Sequence, residues 1–252
     1  MLPLGYREIA FETIGSTSDE ARRLAGLGAD HGTVVWALEQ IAGHGRRGRV
    51  WASPPGNLYG SVILRPDCAL AAASELSMVA AVALGDTLAE LLPHSDKVRL
   101  KWPNDVLVDG AKIAGMLLEC DTGADGRVDA VVLGIGMNLV SAPQIARYPT
   151  ISLADLDIFI EPEAMLHRVI GHLDRWFTQW QQHGFEPVRA AWLDVAFQLG
   201  HQIELARGEE ILSGRFADIG QGGALLLENE GELVSVFGGE WTTNRSAPAS
   251  GL

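Results

Sequence analysis

Apolar and polar positions along this chain fall into two textures. Up to about residue 196, helical periodicities are interleaved with apolar strand runs; beyond Gly200 the apolar runs become short and close-set. Ser16-Thr17-Ser18-Asp19-Glu20-Ala21 reads as a helix start. Hydroxyls cap free N–H groups there, and acids in the first turn complement the helix dipole. The helix it opens runs to about Gly26. Residues 33–39 (TVVWALE) are β-rich and largely apolar, which predicts a buried strand, and 58–64 predicts a second. Residues 71–92 are alanine-rich with apolar positions at helical spacing, predicting one core helix.

Residues 98–102 predict a strand. Residues 106–108, the pair Asp109-Gly110 and residues 112–120 predict a hairpin around a tight turn. A further apolar strand is expected over 128–135, after a turn signal at 122–126, and helices over about 162–182 and 186–196. Residues 201–206, 210–217, 224–228 and 233–237 are then four short strands separated by glycine-containing turns, the pattern of a small β-barrel. The tail after Trp241 is rich in Ser, Ala, Pro and Gly and is expected to fray. Strands and helices do not alternate as regular βαβ units. The expected class is therefore α+β: a mixed sheet with helices on one face, over 1–196, followed by a barrel unit over 197–252.

Composition adds boundaries. Hydrophobic residues make up 47%, enough for a substantial core. The 32 acids against 19 Lys and Arg give a net charge of −13, which disfavours a general nucleic-acid coat protein. Cys68 and Cys120 are far apart and lack metal-ligand spacing, so they are expected as reduced, buried thiols of a cytoplasmic protein. No signal peptide is visible over residues 1–12. The longest apolar stretches are interrupted by Ser, Glu and Asp short of the roughly 20 residues a membrane span needs.

Against this acidic background stands Gly43-His44-Gly45-Arg46-Arg47-Gly48-Arg49-Val50-Trp51. Its Gly-x-Gly-x-x-Gly spacing matches a dinucleotide fingerprint only formally. That fingerprint needs a helix opening at the last glycine, and Arg49-Val50-Trp51-Ala52-Ser53-Pro54-Pro55-Gly56 cannot form one. What remains is an irregular loop whose glycines admit close backbone approach and whose arginines suit phosphate or carboxylate oxygens. Such a loop is expected to stay exposed and mobile until an anion binds; a solvated surface loop or a weak RNA-contacting segment is the plain alternative. Trp51 is a stacking platform for a nucleobase or, equally, a core tryptophan.

Lys101 ends a strand just before Trp102-Pro103-Asn104-Asp105, where sites are commonly built. Lys112 opens the next strand and suits a carboxylate or phosphate, or else it is a solvated hairpin lysine. Asn138, closing Gly134-Ile135-Gly136-Met137-Asn138, suits an adenine edge or caps a turn.

Together these residues resemble the biotin protein ligases. The matching elements are Ser16-Thr17, Gln40 with the loop 43–51, KWPNDV (101–106), KIAG (112–115) and GIGMN (134–138), in order. Residues 223–240 resemble the C-terminal SH3-like barrel of that family. The resemblance implies the catalytic fold shared with class II synthetases and lipoate ligases, with ATP, Mg²⁺ and biotin as co-substrates and ion, and no tightly bound cofactor. It implies that Ser16, Thr17 and Gln40 bind the ureido ring of biotin and that Gly43, Gly45 and Gly115 line the same pocket. Arg46 and Arg49 would hold phosphate and acyl-adenylate oxygens, Trp51 would cover the adenine, and Asn104 and Asn138 would contact the nucleotide. Lys112 would sit at the carboxylate–phosphate junction, and Asp105 is the candidate for Mg²⁺.

The implied reaction makes biotinoyl-5′-AMP from biotin and ATP, then passes biotin to a lysine of a biotin carboxyl carrier protein. His44 and Ser18 depart from the pattern, standing where arginine and asparagine are usual. The roughly 15 residues before Ser16 are too few for the winged helix of bifunctional repressors, so no DNA partner is expected; the interrupted apolar stretches predict no membrane partner, and a homodimer is left open. The competing readings are a lipoate–protein ligase of the same fold and a non-catalytic nucleotide- or carrier-binding regulator.

Overall fold

A computed structural model describes residues 1–123, 126–144 and 148–242. The expected tail after Trp241 lies almost wholly outside these, as does part of the 122–126 turn.

Seven strands form the main sheet: β1 (Arg7–Ile14), β2 (Thr33–Gln40), β3 (Leu58–Leu64), β4 (Val98–Lys101), β5 (Asp105–Val108), β6 (Ala111–Thr122) and β7 (Val128–Met137). Their spatial order is β1-β2-β3-β7-β6-β5-β4. Only β1 and β2 run parallel, because helix α1 (Thr17–Gly26) carries the chain across between them; the other neighbours are antiparallel. Ser16 caps α1 as its sequence predicts, accepting from the Asp19 N–H. Asp109 and Gly110 both take positive φ in the turn joining β5 to β6, the geometry an Asp-Gly hairpin favours.

Helices lie on both faces of the sheet, which corrects the expectation of one face. Side chains alternate along a strand, so β2, β3 and β7 present two apolar sets. Val35, Ile63, Ala130 and Val132 pack with Ala21 and Ala25 of α1. Val34, Val62, Leu64, Val131 and Leu133 pack on the other side, in the large core shared with α3 (Leu76–Leu91), α4 (Pro162–His183) and α5 (Glu186–Asp194).

The helix expected over 71–92 is split into a short turn, α2 (Leu70–Ala73), and α3. Ser74 turns its hydroxyl onto the carbonyls of Ala71 and Gly222, and the buried Glu75 carboxylate accepts from Trp180 Nε1 and the Gly222 N–H. These distant partners break the helix where local propensity would continue it. Taken together, Leu70–Leu91 is long and apolar enough to cross a membrane, contrary to the sequence reading, but 67% of its most apolar window is buried in the fold.

Beyond Gly200 the described chain has five strands rather than four: β8 (Gln202–Arg207), β9 (Glu210–Ile219), β10 (Leu225–Asn229), β11 (Glu232–Val236) and the two-residue β12 (Glu240–Trp241). They pair antiparallel in the order β11-β10-β9-β8-β12, and among the described residues β11 and β12 do not pair to close the sheet. Trp102, at the end of β4, joins the two units. It is fully buried, donates through Nε1 to Gly223 O at 2.9 Å, and its carbonyl accepts from Trp241 Nε1 at 2.6 Å.

Candidate active site

The arginine loop leaves β2 at Gln40 and returns at β3. It folds back on itself: Gly45 N–H donates to Arg49 O and Trp51 N–H to Gly43 O, with a tight turn at Arg46–Gly48. Residues 40–44, Gly48 and 50–53 line a cavity of ≈ 410 Å³. Gly43 has no room for a side chain, since a Cβ would stand 2.5 Å from Ser53 Oγ and 2.8 Å from Gln40 Nε2.

Arg46 is half-buried, whereas Arg47 to Val50 are exposed as expected, although the exposed arginines are paired within the chain. Arg46 Nη1 donates to Asn104 Oδ1 at 3.1 Å. Burial pulls the Arg46 pKa down, with repulsion from Arg47 in the same sense. Arginine stays charged regardless, so Arg46 is a partly desolvated cation whose direct partner is neutral, a strong place for an anion. Arg47 donates to Glu240 of β12 at 3.0 Å, and Arg49 forms an ion pair with the same carboxylate. Hydrogen bonding from Arg49 chiefly holds the Glu240 pKa below the usual carboxylate value. A carboxylate of the chain itself thus occupies two arginines of the loop.

Trp51 lies across the floor made by two strand glycines. A Cβ at Gly136 would stand 2.5 Å from Trp51 Cε2, and one at Gly115 would stand 3.1 Å from Cζ3. Only glycines let the indole approach β6 and β7 so closely. The indole Nε1 is buried with no hydrogen-bond partner among the described residues, a donor awaiting an acceptor.

Lys112 stands over this floor, with Nζ 5.1 Å from the Trp51 ring centre, 5.7 Å from that of Tyr148 and 2.5 Å from Asp105 Oδ1. It is 9% exposed, so the solvated-hairpin alternative does not hold. Lys101 adds a second cation beside Tyr148 and Trp241; burial lowers its pKa.

The two asparagines serve as brackets. Asn104 Nδ2 donates to Met116 O, and its Oδ1 accepts from Arg46. Asn138 gives its Nδ2 to Ile151 O at 3.1 Å and Lys112 O at 3.4 Å, fixing the backbone that carries Lys112. At the far side of the site, Thr17 donates both its N–H and its hydroxyl to Gln40 Oε1, and Gln40 Nε2 donates to Ser53 Oγ.

Sequence reasoning missed Glu240, Ser53, Ser61 and Asn57, which accepts the N–H groups of residues 139–141 and fixes the turn after β7. Glu240 carries no local signal because its partners lie about 190 residues away. Asn57 was findable, as the residue after Gly56 at the start of a buried strand.

Comparison with known proteins identifies the family. The biotin/lipoate A/B protein ligase family model matches residues 11–138, just over half of the chain. The biotin–[acetyl-CoA-carboxylase] ligase of Paracoccus denitrificans is 41% identical over 218 residues, covering 84% of this chain and 90% of that protein. The enzyme of the same name from Mycobacterium tuberculosis is 32% identical over 246 residues, covering 94% and 89%. The structure of biotin protein ligase from Aquifex aeolicus in complex with biotin and ATP aligns with a TM-score of 0.79 at 25% identity, covering 95% of this chain and 99% of that one. The chain belongs to the biotin/lipoate A/B protein ligase family.

Proposed function

We infer that this protein is a biotin–[biotin carboxyl carrier protein] ligase. It joins the carboxylate of biotin to the α-phosphorus of ATP, giving biotinoyl-5′-AMP and pyrophosphate. A lysine amine of the carrier domain then attacks the acyl carbon, forming the amide and releasing AMP and a proton. The observation that carries this reading is that a neutral polar chain, Thr17–Gln40–Ser53, ends on the backbone of Trp51 while the cation of Lys112 stands over the ring of the same residue.

Ser16, Thr17 and Gln40 suit the ureido ring, with Gly43, Gly45 and Gly115 giving close backbone approach. Lys112, Arg46 and Arg49 offset the repulsion between carboxylate and phosphate and stabilise charge on the α-phosphate in the transition state. Holding the two reactants together supplies further rate enhancement through proximity. Trp51 closes over the acyl-adenylate and limits its hydrolysis. Asn104 and Asn138 act on the nucleotide side by holding Arg46 and the Lys112 backbone. Asp105, a carboxylate among these cations, fits Mg²⁺, which commonly takes one or two carboxylates plus substrate phosphates; when bound, that ion would neutralise phosphate charge.

Residues 197–242 are read as an SH3-like unit, on the support of five short antiparallel strands around Ile203, Leu205, Phe216, Leu225 and Leu227.

Incubation with labelled biotin or lipoate, MgATP and an apo biotin carrier domain tests the reading. Label is expected on the carrier with biotin only. Transfer of lipoate instead, or binding without transfer, overturns it.

A further inference from the structure

Six hydrogen bonds near the N-terminus of α1 form a network whose directions are all fixed. Thr17 N–H lies 2.8 Å from an amide atom of Gln40, and a backbone N–H can only donate, so that atom is oxygen. The Thr17 hydroxyl, 3.0 Å from the same oxygen, must therefore give its proton to it. Its contact with Ser61 Oγ at 2.9 Å then runs the other way, with Ser61 donating. Ser61 has spent its one proton, so at 3.0 Å Ser18 donates to Ser61. On the other side, Gln40 Nε2 donates to Ser53 Oγ at 3.0 Å, and Ser53 passes its proton to Trp51 O at 2.8 Å.

The direction decides what is left for a ligand. Thr17 Oγ1 keeps only a lone pair. Ser16, which already accepts the Asp19 N–H, keeps its proton, and Gln40 keeps one N–H. Two donors and one acceptor complement the carbonyl and an N–H of a cyclic urea.

Ser61 is placed for this task by the sheet. It is 1% exposed, and its register partner on β7 is Gly134, where a Cβ would stand 2.6 Å from Ser18 Oγ. The glycine thus leaves the space in which Ser18 meets Ser61. In a strand where Leu58, Tyr59, Val62, Ile63 and Leu64 are buried for packing, a buried serine with two hydroxyl partners has a polar purpose.

We propose that Ser61, backed by Ser18, is a positioning residue: by donating to one lone pair of the Thr17 hydroxyl it aims the other lone pair at a ureido N–H and so sets the affinity for biotin. The proposal rests on the biotin reading. It adds that part of the specificity lies in two serines behind the pocket.

The test is steady-state pyrophosphate release by the full chain, with calorimetric titration of biotin and of ATP. Ser61→Ala is expected to raise the biotin Kd and KM about 5- to 10-fold, the effect of one hydrogen bond, with kcat and the ATP Kd unchanged within about 2-fold. Ser61→Cys, of similar size and with a weak donor, falls between. In a Thr17→Val background Ser61→Ala costs less than about 2-fold more, because the hydroxyl it acts through is gone. An equal cost in both backgrounds, or an equal loss for ATP, makes Ser61 a packing residue and overturns the proposal. A wild-type chain that binds no biotin overturns the biotin reading itself.

Discussion

Replacing Lys112 by methionine isolates the charge at the centre of the site. Methionine keeps most of the side-chain volume against Trp51 and Tyr148, so the fold should persist. The side chain is 11% exposed, and its partner Asp105 is 21% exposed, so the stranded carboxylate retains some access to water. The magnitude follows from the geometry. An anionic ligand oxygen about 4 Å from Nζ gains about 4 kcal/mol in surroundings with an effective dielectric near 20. In the variant that attraction is lost while the charge of Asp105 remains. A loss of about 4 kcal/mol corresponds to roughly 10³-fold in kcat/KM for adenylate formation. The assay is pyrophosphate release with biotin and MgATP, run beside a melting curve. Lys97→Met is the control, because Lys97 forms a comparably short pair with Asp109 at the exposed surface. Activity within 10-fold of wild type in Lys112→Met, or an equal loss in Lys97→Met, refutes the reasoning.

Gly136→Ala is expected to push the Trp51 indole off its floor, raising the KM for biotin at least about 10-fold while the melting temperature falls only slightly, since a loop and not the core must yield. Kinetics and melting curves decide it, and an unchanged KM removes Trp51 from the pocket. The Glu240 contact with the arginine loop is governed by a depressed carboxylate pKa. Its stabilisation is fully present above about pH 4.5, the carboxylate's ordinary value, and is lost only as pH falls through the lower folded value. Proteolysis at the loop should therefore stay slow from pH 7 to about pH 5 and become fast at pH 7 in Glu240→Gln; slow cleavage of that variant refutes the contact. Burial pushes the Cys120 thiol up to about 11, leaving roughly 10⁻³ of it as thiolate at pH 8. Alkylation there should be far slower than for a free thiol, as mass spectrometry would show.

What the sequence disclosed follows from where the information sits. The strands β3 and β7 were legible because each is buried along most of its length and reads as an apolar run. Strand β1 was not, because Arg7–Ile14 lies at the sheet edge and buries little. The division of the helix at Ser74 and Glu75 depends on Gly222 and Trp180, which no local window contains. In the site, Arg46, Lys112 and Trp51 stood out by their contrast with the acidic chain and its glycines. Ser61 looks like one more small residue in a strand. Only the register that sets it beside Gly134, with α1 above, makes its hydroxyl visible as part of a chain.

Strand β12 has two residues, and each holds a different wall of the site. Glu240 grips the arginine loop, while Trp241 grips the carbonyl of Trp102, next to the turn that leads to Asp105. A ligand that draws Arg47 and Arg49 away from Glu240 therefore loads the same short strand that steadies the lysine wall. By linkage, whatever factor such a ligand imposes on the grip of β12, that grip imposes on the ligand. The C-terminal unit is in this sense a counterweight to the pocket, and cutting the chain at residue 196 would change affinity for small molecules that never touch the removed part.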